Sequence, residues 1–286
     1  MGAPDPRLDA NGKVHVSLQR LQRSYQKEDP PPQRVKPIPP QIVRHAVESL
    51  QSDDRSLAIA DLLIIGVFFL LHPGENTYAT YNNHPFRLQD ASFELPDKST
   101  HNAVTISADD LAIATKVHLN FTTQKNGEAN EAITHGDTSD ALLSPLKAVR
   151  RRVTHLRYFH VPPDTPLYRA YLPSGKYSNI TAAILTATLR ASCKSIGSSL
   201  GIRPLDISAR ALRAGGAMAL LRANVDPVTI RMIGRWKSWT MIRYLHRSAT
   251  STTSFAEQML TGGNFSIAQH ATLPTISASV DCLLKE

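Results

Sequence analysis

Cysteine is nearly absent from this 286-residue chain, and the two present, Cys193 and Cys282, stand far apart. They offer neither a disulfide framework nor a zinc spacing, which fits a reducing compartment. A secretory signal is also lacking, since the opening "MGAPDPRLDANGK" has no apolar core, and the chain is read as not secreted. Membrane-length runs are missing too. The longest apolar stretch, "LLIIGVFFLL" from Leu62 to Leu71, is about half of the ~20 residues a bilayer span needs and reads as a buried helix. No internal repeat is present. Acidic residues are scarce in one place above all. Between residues 205 and 250, eight Arg or Lys (210, 213, 222, 231, 235, 237, 243, 247) face only Asp206 and Asp226, a surplus of six out of the chain's total of +8. Solvated faces are usually mixed in sign, so this bias favours a polyanionic partner.

Against those absences, 42% of the residues are hydrophobic, enough for a substantial core. Val14, Leu18, Leu21 and Tyr25 recur at helical spacing and predict one amphipathic helix over 14–28. The stretch "PPPQRVKPIPP", Pro30–Pro40, reads as a stiff extended linker. From about 40 to 71 the pattern is helical and stops at His72-Pro73-Gly74. Residues 103–134 change period, and Asn126-Gly127 is a hairpin signal, so a small antiparallel sheet is expected there with Lys125 beside the turn. After "LLSPLKAVRRRVTHLR" the chain is mostly helical. Asp226-Pro227 supplies an N-cap and a first-turn proline, Gly234 closes that helix, and Ser238 starts another that carries Tyr244. The fold class expected is mainly α with a small antiparallel β-sheet.

The stretch "SARALRAGGAMALL" from Ser208 places Arg210 and Arg213 at one end of a helix whose body is small and apolar. Residues three apart share a helix face, and helix N-termini favour anions. Two guanidiniums there can grip one phosphate, while a small-residue body lets the helix pack closely and hold them still. Taken alone, the same residues also read as two surface arginines. Tyr244 stands among Arg243, His246 and Arg247, whose charges favour its phenolate, or it is a half-buried core tyrosine. Lys125 alone is an ordinary turn lysine. Together they form a phosphate clamp, a nucleophile and a cation, the inventory for transferring a phosphodiester.

The segment "ALRAGGAMALL…VDPVTIRMIGRWKSWTMIRYLH" resembles the C-terminal half of tyrosine recombinases, the phage-integrase family. It is most similar to a eukaryotic mobile-element branch (DIRS/crypton-like) whose members read "RAGGA" and "GRW". "FFLLHPGE" resembles the segment that carries the first catalytic arginine, followed three residues later by Glu, and "FTTQKNG" resembles the hairpin of the catalytic lysine. The resemblance spans roughly residues 40–262. It implies Tyr244 as the nucleophile forming a 3′-phosphotyrosyl link, Arg213 as a ligand of the scissile phosphate, and Lys125 as the acid for the departing 5′-oxygen. It implies Arg235, Trp236, Lys237 and Arg243, with Arg210 and Arg213, as DNA contacts. Double-stranded DNA is the implied partner, a homo-oligomer such as a synaptic tetramer the implied assembly, and no ATP, metal or other cofactor is implied. The compartment is nuclear for a eukaryotic mobile element and otherwise cytoplasmic.

Three positions depart from the family pattern. Arg210 stands where histidine is common, and Arg235 stands at the His/Trp position after glycine. His72 replaces the first arginine, and a neutral imidazole offers one donor and no charge. Loss of one preorganised donor costs on the order of 10²- to 10³-fold, and Arg210 is the expected source of the missing charge. The organisation expected is a helical remnant of an N-terminal unit at 1–29, a linker at 30–40, a catalytic domain at 41–262 and a tail at 263–286. Within it, Phe255, Met259 and Leu260 give residues 252–260 the pattern of a short helix. Two further readings compete with an active recombinase: a non-catalytic DNA-binding remnant, and a basic helical domain that binds another protein.

Overall fold

The computed structural model describes residues 7, 12–14, 16, 18–20, 36–80, 84–121 and 131–236. The chain divides into two compact units, Met1–Leu245 and His246–Glu286, and the second lies outside the described residues. So do Lys125, Lys237, Ser238, Arg243 and Tyr244, most of the expected helix at 14–28, and the segments 252–260 and 263–286.

The helical pattern over 40–71 resolves into two helices. Helix α1 (Pro40–Glu48) starts on a proline in its first turn and buries Ile42, Val43, Ala46 and Val47. Helix α2 (Asp54–Phe68) starts where the Asp53 carboxylate accepts the Arg55 and Ser56 N–H groups, each at 3.0 Å. The pattern was expected to be helical from about 40 to 71. The polar Gln51–Asp53 interruption breaks it, because Asp53 satisfies more backbone donors as an N-cap than it could inside a helix.

Leu62, Leu63, Ile64 and Ile65 of α2 are all fully buried, which accounts for the uninterrupted apolar run. Ile64 and Ile65 belong to a core shared with the sheet, and Leu62 and Leu63 to a second core among the later helices. Among the described residues, no helix is long and apolar enough to cross a membrane.

Four antiparallel strands follow: β1 (Ala91–Glu94), β2 (Thr100–Asn102), β3 (Lys116–Phe121) and β4 (Glu131–Gly136), in the order β2-β1-β3-β4. The small sheet is therefore present, but it begins before residue 103. Helix α4 (Ala108–Ile113) interrupts the stretch expected to be β-rich, capped by Ser107, whose hydroxyl accepts the Asp110 N–H; the short helix Pro73–Asn76, α3, precedes the sheet. Val117, Leu119 and Phe121 alternate inward on β3, and β3 pairs with β4 as far as Phe121–Glu131, the two residues that flank 122–130.

Helix α5 (Pro145–Tyr158) covers the inner face of the sheet with Leu146, Val149, Val153 and Leu156. A hairpin of β5 (Arg169–Tyr171) and β6 (Tyr177–Asn179) and helix α6 (Ala182–Ile196) lead to α7 (Ala211–Arg222) and α8 (Pro227–Ile233). The Asp226 carboxylate caps α8, and Gly234 ends it, as expected from the sequence.

The small residues of α7 do what their size allows. A Cβ on Gly215 would lie 2.4 Å from the Ile38 carbonyl oxygen, and one on Gly216 would lie 2.1 Å from that of Val67. Helix α7 thus packs directly against the α2 backbone on one side and the end of the proline-rich stretch on the other. Ile38 is fully buried and its N–H reaches the Ala211 carbonyl at 3.4 Å, so the last residues of that stretch are anchored in the core.

Candidate functional site

Helix α2 ends at Phe68, the backbone turns through Leu70 with φ 50°, and His72 becomes the exposed N-cap of α3. Glu75, the third residue of α3, returns its carboxylate to the cap, where Oε2 accepts the His72 N–H at 2.7 Å. Asn76 donates through Nδ2 to the Leu62 carbonyl at 2.7 Å, and Thr77 through its hydroxyl to the Pro73 carbonyl at 2.7 Å. The turn that His72 opens is therefore closed by its own side-chain bonds and tied to α2 through Asn76.

The same Glu75 oxygen accepts a second bond, from Nη2 of Arg235 at 2.9 Å. Arg235 follows α8 with φ 56°, and its side chain is only 3% exposed. Its Nη1 lies 3.3 Å from the Phe69 carbonyl oxygen and 3.4 Å from that of Ile233, and the guanidinium sits 3.8 Å from the centre of the Phe121 ring. Burial pushes the Arg235 pKa down, and the Glu75 carboxylate acts against that shift and holds the positive charge in place.

Arg213 enters from α7. It is 6% exposed, donates through Nη2 to the Gly234 carbonyl, and lies 4.3 Å from the centre of the Trp236 ring. Gly234 has no room for a side chain, because an added Cβ would meet the Trp236 ring at 1.7 Å. The loop Gly234–Trp236 thus sits between two arginines, one bound to its carbonyl and one growing out of it.

His135 joins the sheet to this network. Its Nε2 donates to the Phe68 carbonyl at 2.9 Å, and its ring meets Phe69 edge-on at 4.6 Å. Burial pushes its pKa down, which favours the neutral ring. A cleft of about 830 Å³ lies between β4 and the end of α8, with Glu131, His135, Arg231, Arg235 and Trp236 in its walls.

Arg210 has a different place from Arg213. It is the exposed N-cap of α7 and lines a groove of about 810 Å³ with Pro73, Ser208, Arg190 and Lys194. The cation that reaches the His72 turn through Glu75 is Arg235, whereas Arg210 was the expected source of that charge.

His72, Arg213, Arg235 and Trp236 therefore belong to one continuous set of contacts, and Arg210 borders the next groove. Lys125, Lys237, Arg243 and Tyr244 lie outside the described residues. The sequence offered Glu75 as a motif member without a partner; His-x-x-Glu at a helix start is the signal for its bond to the cap. His135 carried no signal, since a single histidine in a strand has no period to betray it.

The fold is that of tyrosine recombinase catalytic domains. The chain matches the XerH site-specific recombinase bound to palindromic difH substrate, in a post-cleavage complex, with a TM-score of 0.50 and 14% identity over 77% of this chain. The match spans half the length of that XerH chain. The Tn1549 transposon integrase in complex with circular intermediate DNA gives a TM-score of 0.44 at 14% identity, over 84% of this chain and 75% of the other. XerA recombinase gives 0.44 at 13% identity, over 83% of this chain and 67% of the other. No protein-family profile and no curated protein matches the sequence.

Proposed function

We propose that the chain is a DNA strand-transfer domain of the tyrosine recombinase type, with its catalytic unit at about 41–262. The observation that carries this reading is the contact path His72–Glu75–Arg235–Gly234–Arg213 on a fold of this class. It unites two distant parts of the chain, 72–75 and 213–235, that both carry motif residues. The mobile-element branch rests on "RAGGA" and "GRW", and assembly of several copies on duplex DNA is part of the same proposal.

In this reaction the Tyr244 oxygen, as the phenolate once its proton has passed to solvent, attacks the scissile phosphorus. The bond from phosphorus to the 5′-oxygen breaks, and Lys125 supplies a proton to that oxygen. One phosphodiester replaces another, so the 3′-phosphotyrosyl link retains the bond energy for rejoining. Arg213 faces the phosphate from α7, its position fixed by Gly234 and Trp236. Arg235 acts from behind, through Glu75 and the loop backbone, because its guanidinium is taken up by the Glu75 carboxylate and the Phe69 and Ile233 carbonyls.

A second reading, a DNA-binding remnant with impaired chemistry, is favoured by the exposed His72 at the position of the first arginine. Covalent trapping on a library of nicked duplexes separates the two. The expected outcome is a protein–DNA adduct resistant to denaturation and absent from Tyr244→Phe. An adduct seen only with His72→Arg identifies the remnant. Adduct formation that survives Tyr244→Phe overturns the assignment of the nucleophile.

A further inference from the structure

At the opposite end of α2 from His72, the first turn of that helix, the last turn of α5 and the β5–β6 hairpin leave aromatic and aliphatic groups on the surface. Tyr158 is 76% exposed and Tyr177 50%, and Leu57 and Leu172 are exposed beside them. Leu57, Tyr158, Phe159 and Pro173 border a cavity of about 690 Å³. The distance from Leu57 to Phe68 along α2 is roughly 17 Å at ~1.5 Å per residue, so an occupant here does not compete with the site at the other end. Contiguous exposed apolar surface of this kind marks interaction sites.

Two features identify the occupant. The rim is basic: Arg151 covers the buried Asp61, Arg169 lies 4.6 Å from the centre of the Tyr177 ring, and Lys176 is exposed in the hairpin turn. The acidic groups in the cavity wall are Asp61, which Arg151 pairs, and Asp54 on the α2 side. The rings of Phe159, Tyr171 and Tyr177 are also already engaged, which leaves Tyr158, edge-on to Phe159, as one open ring rather than a platform of several. Phe159 stacks on Tyr171 at 5.3 Å, Tyr171 lies 5.5 Å from Tyr177, and Arg169 covers Tyr177. A base-stacking platform needs open faces, whereas a cavity edged by Leu57, Tyr158 and Pro173 accepts an inserted side chain.

We infer that this surface is a docking site for an acidic peptide segment of a partner protein, anchored by one bulky apolar side chain in the cavity. Carboxylates of the segment meet Arg151, Arg169 and Lys176, and the anchor packs on Leu57 and Tyr158. The inference stands independently of strand-transfer chemistry.

The test uses the full chain and short fluorescent peptides, rich in Asp and Glu around a central Trp, read by anisotropy. Controls carry Ala at the centre or Lys in place of the acids, and an oligothymidylate serves as the nucleic-acid probe. The Trp-centred acidic peptide is expected to bind saturably. Tyr158→Ala weakens it by about tenfold or more, while thermal stability stays unchanged because that ring is exposed. Lys176→Glu weakens binding as well. Binding that ignores the central residue, or that survives both substitutions, overturns the proposal, as does the absence of saturable binding. Oligothymidylate binding that depends on Tyr158 replaces the peptide with a nucleic acid and overturns it too.

Discussion

Arg210, Arg213 and Arg235 are the same residue type within 26 positions, yet they occupy three environments. Arg210 is exposed at a helix start, Arg213 is buried against a carbonyl and an indole, and Arg235 is buried on a carboxylate. Their substitutions therefore separate affinity from stability. Arg210→Gln is expected to lower the salt dependence of duplex binding by about one unit of slope, with unfolding unchanged. Arg235→Gln leaves that slope intact and lowers stability by about 3 kcal/mol, the low end for breaking a buried pair, since Glu75 keeps 21% side-chain exposure. Glu75→Gln reproduces the Arg235 result. Salt titration of DNA binding and urea unfolding of the variants check both. Equal effects at 210 and 235 would sink the distinction.

At the scale of elements, two contacts decide how the site is held. Helix α7 approaches α2 through Gly216, and Gly216→Ala forces a methyl group onto the Val67 carbonyl oxygen. Overpacking of this kind costs about 1–3 kcal/mol, and it also displaces Arg213, so urea unfolding and DNA affinity are expected to decline together.

The sheet is fastened to the end of α2 through His135. Burial lowers that histidine's pKa below its ordinary value, so the folded state takes up a proton less readily than the unfolded chain. The stability it contributes is complete above about pH 6.5 and declines as pH falls towards its folded pKa. His118 and His155 are shifted the same way, and Asp61, raised to about 6, works in the opposite sense over the range below that value. His135→Phe is therefore expected to flatten, without abolishing, the loss of stability between about pH 6.5 and 5. An unchanged pH profile would remove His135 from this role.

Much of the element plan was legible because its signals are local. The Asp226-Pro227 start, the Gly234 stop and the small-residue face of α7 each follow from side-chain size or capping within a few residues. Strands β1 and β2 escaped notice because three or four residues are too few to show alternation. Helix α4 was hidden by a β-rich neighbourhood despite its Ser107-x-x-Asp110 start.

For the whole molecule, the sequence displayed the order of the site residues but not their pairings. Glu75 and Arg235 meet across 160 positions, and Arg235 reaches Phe69 across 166. No spacing rule spans such intervals; only the packing of α7, α8 and the sheet around α2 brings them together. Charge was the other legible quantity, since the surplus of six between 205 and 250 is plain in the sequence. What the sequence withheld is that part of this charge is internal. Arg213 and Arg235 are buried, so the cations that face solvent are fewer than the count implies.

The anchoring of Ile38 has a mechanical consequence. Its N–H reaches Ala211, the first residue of the helix that carries Arg213, and its backbone lies against Gly215 one turn later. Tension arriving at Lys36 is therefore shared between its ion pair with Asp206 and the start of that helix. The end of the proline-rich stretch at Ile38 is thus fastened to the same helix that holds the Arg213 guanidinium against Gly234 and Trp236.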